Sequence, residues 1–264
     1  MRVVIIGAGI VGVTAALTLA EAGAEVIVLE RGSVAGEASG LNAGVVGGGG
    51  WGHRPDIDVA LKMGSRQRYL DLADQRGHDI GLDRTGTLTV IRNEAELTWA
   101  DATVAADRDA GRLVELLDDT ELREHEPELD PALLGAILDP LAVRAEPVAA
   151  TEAFATEARR AGAVLRTGCA VTGLDPSPGG GWDLGIGGST TTIGADVVVV
   201  AAGPWCAELG RLVGLDIPIA AVRGQMWASP ALPPVLRHAL AAAESPTDWA
   251  DPAEATTPPF LTHV

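Results

Sequence analysis

The chain opens with an apolar pattern that predicts a strand, a helix and a second strand in succession. The β-branched run Val3–Ile6 is suited to a strand buried on both faces. A helical segment follows and ends at Gly23, and Glu25–Leu29 repeats the apolar run. The apolar residues of this helix are predicted to share one side: Val11, Ala15, Ala16, Leu19 and Ala20. The order predicts a β–α–β unit at the start of the chain.

The pattern between residues 56 and 161 predicts helices that alternate with single strands. Residues 85–97 indicate a strand that enters a helix, with Leu88 and Val90 on one face and Thr87, Thr89 and Ile91 on the other. The remaining predictions here are a helix from about Asp56 to Arg76, a helix that starts at Asp118–Thr120 and ends before Pro127, a strand at Gly135–Pro140, and a helix from Pro147 to about Ala161.

Short strands dominate the pattern after residue 162. WDLGI and TTTIG predict an antiparallel pair that turns at Gly187–Gly188, and the continuous apolar run Val197–Ala201 predicts a buried parallel strand. Four further strands are predicted at Ala163–Arg166, at Cys169–Leu174, from Val222 towards Ser229, and within the last ten residues. The last of these is expected to lack a neighbour.

Glycine spacing after the first strand indicates a bound dinucleotide. In the G-x-G-x-x-G of Gly7, Gly9 and Gly12, the glycines permit a tight turn, close backbone approach to a pyrophosphate, and close helix–strand packing, respectively. The helix N-terminus then offers unpaired N–H groups to phosphates. Glu30, at the end of the second strand, can accept hydrogen bonds from a ribose diol and repel the 2′-phosphate of NADP. The fingerprint alone does not choose between FAD and NAD, but the lack of further βα repeats argues against an NAD dehydrogenase.

Composition and charge narrow the classes of binding partner that are expected. The 264 residues carry 19 basic and 36 acidic side chains, a net charge of −17, which disfavours nucleic acid and anionic membrane surfaces. Cys169 and Cys206 are the two cysteines, and their spacing predicts neither a metal site nor a disulfide framework. No apolar run is long enough to span a membrane and no secretory signal is present, so a cytoplasmic protein is expected.

Three motifs resemble the D-amino-acid oxidase superfamily of FAD enzymes, especially its glycine oxidase and sarcosine oxidase branch. They are VVIIGAGIVGVTAALTLAEAGAEVIVLERG at residues 3–32, ASGLNAGVV at 38–46, and GADVVVVAAGPWCAELGRLVGLDIPIAAVRGQ at 194–225. The first is shared by many flavoproteins, whereas the third is more specific to this group. The resemblance implies an α/β fold, with a Rossmann-like FAD-binding domain of the glutathione-reductase type and an interleaved antiparallel-sheet substrate domain.

The resemblance also implies a role for individual residues. The FAD pyrophosphate would be held by Gly7, Gly9, Val11 and Gly12, the adenosine ribose by Glu30, and the adenine end would lie beside Arg31. The backbone along the pyrophosphate and flavin would come from Ser39, Asn42, Ala43 and Gly44. The adenosine side would be closed by Val171, Ala201, Ala202, Gly203 and Trp205. On the residues alone, Val171 and Trp205 also fit a core, Ser39 a helix cap and Asn42 a turn.

The implied chemistry is oxidation of the C–N bond of a small amine or amino acid, such as a D-amino acid, glycine or sarcosine, by hydride transfer to flavin. Reduced flavin then passes electrons to oxygen or to a carrier. The sequence offers no convincing acid–base pair. Candidates for a substrate-carboxylate arginine are Arg54, Arg144 and Arg223. The scattered histidines are predicted to be solvated or structural: His53, His78, His125, His238 and His263. A solvated helix face is predicted for Glu121, Glu124, Glu126 and Glu128.

The predicted FAD-binding domain is discontinuous, with segments 1–84, 144–178 and 194–215. Residues 85–143 and 216–264 would form part of the substrate domain, which is expected to be incomplete at its C-terminal end. On that expectation the chain would hold FAD weakly and turn over little. Two alternatives stay open: a dehydrogenase that uses an electron carrier, and a truncated, non-catalytic nucleotide-binding subunit. An oligomer or a partner subunit fits these interpretations. Whether Gly47–Gly50 line a site or form a loop is also open.

Overall fold

The computed structural model describes residues 1–47, 55–221, 225–226, 235–242 and 260–261. The chain divides into two compact units. The first unit comprises Met1–Asn42 and Pro147–Arg223, and the second comprises Ala43–Glu146 and Gly224–Val264. Residues 43–84 therefore lie in the second unit, whereas they were predicted to belong to the FAD-binding domain. The functional assignment of the two units stays a prediction.

The regular elements follow the predicted order, but four strands (Val45–Val46, Glu115–Asp118, Val143–Arg144 and Ala239–Ala242) and one helix (Cys206–Leu212) were not predicted. The strands are β1 (Arg2–Ile6), β2 (Glu25–Leu29), β3 (Val45–Val46), β4 (Thr87–Ile91), β5 (Glu115–Asp118), β6 (Gly135–Asp139), β7 (Val143–Arg144), β8 (Val164–Arg166), β9 (Val171–Pro176), β10 (Trp182–Ile186), β11 (Thr192–Ala195), β12 (Val197–Val200), β13 (Ala239–Ala242) and β14 (Phe260–Leu261). The helices are α1 (Ile10–Glu21), α2 (Pro55–Asp74), α3 (Glu94–Asp109), α4 (Asp119–His125), α5 (Pro147–Arg160) and α6 (Cys206–Leu212).

The first unit contains the predicted parallel sheet, in the order β12–β1–β2–β8. Val3 pairs with Val197 on one side and with Val26 on the other, and both neighbours run parallel to β1. The prediction that β12 is buried is wrong. It is the outer strand of the described sheet, and Val197 is 40% exposed because only one side of the strand has a neighbour.

Helix α1 buries a different side from the predicted one. Its buried residues are Gly12, Val13, Ala16, Leu17 and Ala20, whereas Val11 is 66% exposed. Ala16 and Ala20 agree with the prediction. Val11 lies in the first turn of the helix, where its side chain faces away from the core.

A small antiparallel sheet, β11–β10–β9, packs against the parallel sheet in the first unit. Leu174 and Leu184 share one buried apolar cluster with Val4, Ile27 and Leu29. The predicted β10–β11 hairpin is confirmed, and Gly188 takes a positive φ of 76° in its turn. This packing fixes the loops that lead into β9 relative to the ends of β1 and β2.

The second unit is built on a sheet in the order β14–β13–β4–β6–β5. Strand β6 runs antiparallel to both of its neighbours, β4 and β5, in line with the predicted antiparallel sheet, although β5 itself was not predicted. Strand β13 runs parallel to β4, so the sheet is mixed. Leu88 and Ile91 pack into separate apolar clusters, which confirms the predicted alternation along β4. The expectation that the last strand lacks a neighbour is wrong, because β14 pairs with β13.

Glu126 corrects the predicted solvated run of glutamates. Its side chain is fully buried, and its Oε1 accepts hydrogen bonds from the backbone N–H groups of Arg237 and His238 at 2.7 and 2.6 Å. His238 Nδ1 lies 2.8 Å from the same oxygen, so this histidine is structural, as predicted. Pro127 ends the helix before Glu126 is carried onto its exposed face, and the carboxylate turns inward to the start of β13.

Candidate dinucleotide-binding cavity

An open cavity of about 700 Å³ lies in the first unit. It is bounded by the carboxyl ends of β1, β2 and β12 and by the first turn of α1, where α/β sheets bind ligands. Eleven of the predicted site residues line it: Gly7, Gly9, Val11, Glu30, Arg31, Ser39, Val171, Ala201, Ala202, Gly203 and Trp205. The parallel sheet therefore brings together residues that are up to 198 positions apart in sequence.

Two glycines of the fingerprint are required by packing between backbones. Gly7 has a φ of 110°, and a Cβ at this position would lie 2.5 Å from the carbonyl oxygen of Ala201. A Cβ at Gly12 would lie 1.9 Å from the carbonyl oxygen of Gly7. Gly12 does not line the cavity itself; it lets α1 begin close to β1, which is the third task of the motif.

The first turn of α1 presents backbone donors to the cavity. Its N-cap is Gly9, which has no capping side chain. The N–H groups of the first helical residues have no acceptor within the helix, and the helix dipole places partial positive charge there. Ser39 Oγ accepts one of these hydrogen bonds, from Ile10, at 3.0 Å. Ser39 thus caps α1 although it lies 29 residues from Ile10 in sequence. It acts as a helix cap and also lines the cavity.

Glu30 is fixed at the end of β2 by two backbone donors. Its Oε2 accepts from Ala8 N–H at 2.8 Å, and its Oε1 accepts from Gly32 N–H at 2.7 Å. Each carboxylate oxygen has two lone pairs, so both retain acceptor capacity for hydroxyl groups in the cavity. The carboxylate is oriented before any ligand arrives.

A cationic and aromatic surface forms a further part of the wall. The guanidinium carbon of Arg31 lies 3.9 Å from the centroid of the Trp205 ring, a cation–π arrangement. Glu37 Oε1 lies 2.8 Å from Arg31 Nη2 and holds the guanidinium in place. Trp205 is only partly buried and lines the cavity, so it is not a pure core residue.

The glycine-rich stretch after Gly36 divides between the two units. Asn42 Nδ2 donates to the carbonyl oxygens of Ala38 and Ser39 at 3.1 and 3.0 Å, which is the turn role. Ala43 and Gly44 belong to the second unit, where a Cβ on Gly44 would lie 2.1 Å from the carbonyl oxygen of Ala145. The predicted roles of Asn42, Ala43 and Gly44 towards FAD stay predictions.

Several cavity residues were not predicted. They include Ser33, Glu37, Cys169, Cys206 and Ile219. Cys169 is the first residue of the predicted adenine-side strand and Cys206 follows Trp205, so the sequence positions of both cysteines indicated that they lie near the predicted site. The sequence position of Glu37 gave no such indication, because its pairing with Arg31 depends on the fold of the loop between them.

The predicted substrate arginines are only partly described. Arg54 and Arg223 lie outside the described residues, as do Gly48–Gly50, His53 and His263. Arg144 lies in the second unit, where its Nη2 is 3.1 Å from Asp83 Oδ2. Burial alone raises the pKa of Asp83, but hydrogen bonds from Thr85 and the charge and hydrogen bond of Arg144 outweigh it, so this pKa lies below its ordinary value.

Within the described ranges, no cluster of three or more potential ligands for a metal ion is found. No helix in these ranges is both long and apolar enough to cross a lipid bilayer.

The cavity combines an open helix N-terminus, an oriented carboxylate, and a planar surface formed by Arg31 and Trp205. Groups of the first two kinds bind the pyrophosphate and a ribose in dinucleotide sites of α/β proteins. These features define a dinucleotide-binding protein of the α/β class. Residues 2–257 match the family model described as FAD dependent oxidoreductase, and the chain belongs to this family, whose cofactor is FAD.

Two of the known relatives have an amine substrate in their names. The chain is 28% identical over 235 residues to mitochondrial dimethylglycine dehydrogenase of Rattus norvegicus, which covers 88% of this chain and 27% of the relative. It is 32% identical over 230 residues to glycine oxidase of Geobacillus kaustophilus, which covers 84% of this chain and 60% of the relative. The crystal structure of glycine oxidase from Geobacillus kaustophilus superposes with a TM-score of 0.77 at 27% identity, over 91% of this chain and 66% of that one.

A third relative has a different kind of substrate in its name. One component of the anaerobic glycerol-3-phosphate dehydrogenase of Escherichia coli K12 is 30% identical over 230 residues, which is 85% of this chain and 41% of the relative. The chain thus spans 27% to 60% of the length of these curated relatives.

Proposed function

We propose that the protein oxidises the C–N bond of a small amine or amino acid with FAD held in the cavity of the first unit. The observation that carries the proposal is the placement of the α1 N-terminus, Glu30 and the Arg31–Trp205 pair around one cavity. The names of the relatives, glycine oxidase and dimethylglycine dehydrogenase, support the amine as substrate class. A cytoplasmic location stays a prediction.

Bound FAD supplies the hydride acceptor, and the chain supplies binding and orientation. The N–H groups of the first α1 turn would donate to the pyrophosphate oxygens, and Ser39 keeps that turn in place by its bond to Ile10. Glu30 would accept hydrogen bonds from the ribose hydroxyls. Arg31, whose guanidinium is held by Glu37, and Trp205 would flank the adenosine side.

Oxygen is the proposed acceptor for the electrons of the reduced flavin, by analogy with the oxidase among the relatives. A carrier is the second candidate, and the dehydrogenase names of two relatives favour it. In the remaining alternative the chain is a non-catalytic nucleotide-binding partner subunit.

Anaerobic reduction of the FAD-reconstituted protein tests the substrate class. Glycine, sarcosine and dimethylglycine are mixed separately with the protein, and the flavin absorbance near 450 nm is followed. We expect at least one of these amines to bleach the flavin and glycerol 3-phosphate to leave it oxidised. Bleaching by glycerol 3-phosphate alone would overturn the amine assignment, and a bound flavin that no amine reduces would favour the partner subunit. Admission of oxygen with peroxide detection then separates oxidase from dehydrogenase.

A further inference from the structure

The chain has two cysteines, Cys169 and Cys206, and both line the cavity of the first unit. Both are free thiols, and both residues are only partly buried. The cavity has a volume of about 700 Å³ and is open to solvent, so a small reagent can reach its wall. All the thiol groups of the sequence therefore lie at the wall of one accessible cavity.

Cys169 lies next to the residue whose carboxylate would contact the ribose of FAD. Its backbone N–H donates to the carbonyl oxygen of Glu30 at 2.8 Å. On its other side, Cys169 packs against the apolar cluster that includes Ile27 and Leu29. Because such a core is close-packed, a group added to the sulfur is accommodated away from the core, where the residue lines the cavity.

Cys206 adjoins the aromatic part of the wall. It directly follows Trp205, whose ring lies 3.9 Å from the guanidinium carbon of Arg31. Its Sγ is 3.9 Å from the carbonyl oxygen of Val200, the last residue of β12, which lines the same cavity. Each of the two cysteines thus neighbours a group that the proposed function assigns to the adenosine half of FAD.

We propose that Cys169 and Cys206 are modification sites for small disulfides, and that their modification excludes FAD from the cavity. The cysteine thiolate attacks one sulfur of the disulfide, and the S–S bond breaks as the mixed disulfide forms. The other half of the reagent leaves as a thiolate and takes up the proton that the cysteine released. The cysteine is oxidised, the leaving half is reduced, and an added dithiol reverses the step.

Bound FAD and an added group compete for the same part of the cavity. An FAD that contacts Glu30 and Trp205 covers the neighbouring thiols and protects them from the reagent. An added group in turn places atoms where the adenosine would pack, and overfilling of a packed site is unfavourable. This inference rests on the proposed function, because it takes FAD as the ligand of the cavity.

Hydroxyethyl disulfide is the probe, because it adds a small neutral group that dithiothreitol removes. The full-length apoprotein is treated with it, intact-mass spectrometry counts the added groups, and FAD is then titrated by flavin fluorescence. We expect the Kd for FAD to rise at least about tenfold after modification and to recover with dithiothreitol. FAD present at about ten times its Kd should slow the modification about tenfold, because only the free cavity reacts.

Variants with one cysteine or none separate the two thiols from any other effect of the reagent. Cys206→Ser retains the thiol of Cys169, and Cys169→Ser retains that of Cys206; each is expected to show protection by FAD and a raised Kd after modification. The double variant has no thiol, so the reagent should leave its Kd for FAD unchanged. Circular dichroism establishes that each variant is folded. Recovery with dithiothreitol in the unchanged protein decides the test if a variant is not.

Three results would overturn the inference: an apoprotein that takes up no added group, a modification rate that FAD does not slow, or a modified protein that binds FAD as tightly as the untreated one. An equal loss of affinity in the double variant would also contradict it. An untreated protein that binds no FAD would overturn the proposed function together with this inference. FAD binding that is insensitive to the added group would overturn this inference alone.

Discussion

The buried carboxylate of Glu126 satisfies three donors at the start of β13: two backbone N–H groups and the ring of His238. Its Oε2 has no partner among the described residues, so the whole bonding role falls to Oε1. Removal of the side chain leaves these donors buried and unpaired. The residue therefore ties β13 to the end of α4 within the second unit.

We expect Glu126→Ala to lower the free energy of unfolding by about 3 kcal/mol, because buried donors and a buried histidine lose their acceptor. Glu128→Ala, at an exposed position two residues away, should change it by less than about 0.5 kcal/mol. Urea denaturation of both variants measures the difference. Equal midpoints would show that the Glu126 cluster contributes nothing to stability.

Asp83 gives the second unit a pH-dependent contribution to stability. Burial opposes ionisation, but Thr85 and Arg144 stabilise the carboxylate more strongly and hold its folded-state pKa below the ordinary value. An acid with a depressed folded pKa contributes stability that is complete above its unfolded pKa of about 3.9 and is lost as pH falls through the folded value.

Asp83→Asn should therefore be less stable than the unchanged protein at pH 7, and the gap should narrow below about pH 4. Urea unfolding at pH 7 and again near pH 3 measures the gap at each end. A gap that stays constant between the two would contradict the ionic origin of this contribution.

At the scale of elements, the junction of β1 and α1 depends on the absence of a side chain at Gly12. A Cβ there would lie 1.9 Å from the carbonyl oxygen of Gly7, which belongs to backbone and cannot rotate away. Gly12→Ala should destabilise the protein by about 1–3 kcal/mol and displace the first turn of α1.

Gly64 provides the opposite case. It lies in α2 with nothing within 4 Å of an added Cβ, so Gly64→Ala should raise the free energy of unfolding by about 0.5–1 kcal/mol through helix propensity. Thermal unfolding of the two variants should shift in opposite directions. A loss of similar size in both would mean that packing at Gly12 is not special.

The secondary-structure elements also show which parts of the fold could be predicted from the sequence. Local signals predicted β1, α1, β2 and α4, which starts with a capping box between Asp118 and Glu121. Strand β13 was missed because its sequence ALAA favours a helix locally, and it becomes a strand only by pairing with β4, about 150 residues earlier. The exposed side of α1 was misplaced because its first turn faces a cavity, which periodicity does not reveal.

The contacts of the site residues likewise divide into those that could be predicted from the sequence and those that could not. Gly7, Gly12 and Glu30 have tasks that follow from spacing within one β–α–β unit, and each has the backbone contacts that these tasks require. The stacking of Arg31 on Trp205 joins residues 174 positions apart, so only the folded sheet brings them together. A resemblance in the third motif placed Trp205 near the cofactor, but no local pattern named its partner.

At the scale of the whole molecule, the chain carries a net charge of −17, yet the cavity of the first unit presents positive groups, a helix N-terminus and Arg31. Local donors of this kind can hold an anionic group in spite of the overall charge. The central claim is that the cavity of the first unit is the FAD site.

Equilibrium titration of the apoprotein with FAD, followed by flavin fluorescence, tests that claim most directly. We expect saturable binding of FAD, with a Kd at least about tenfold higher in Glu30→Ala because the ribose hydroxyls lose their acceptor. Glu25→Ala, at the opposite end of β2 and paired with Arg2 at the surface, should bind FAD as the unchanged protein does. Failure to bind FAD, or equal affinity in the two variants, would contradict the account.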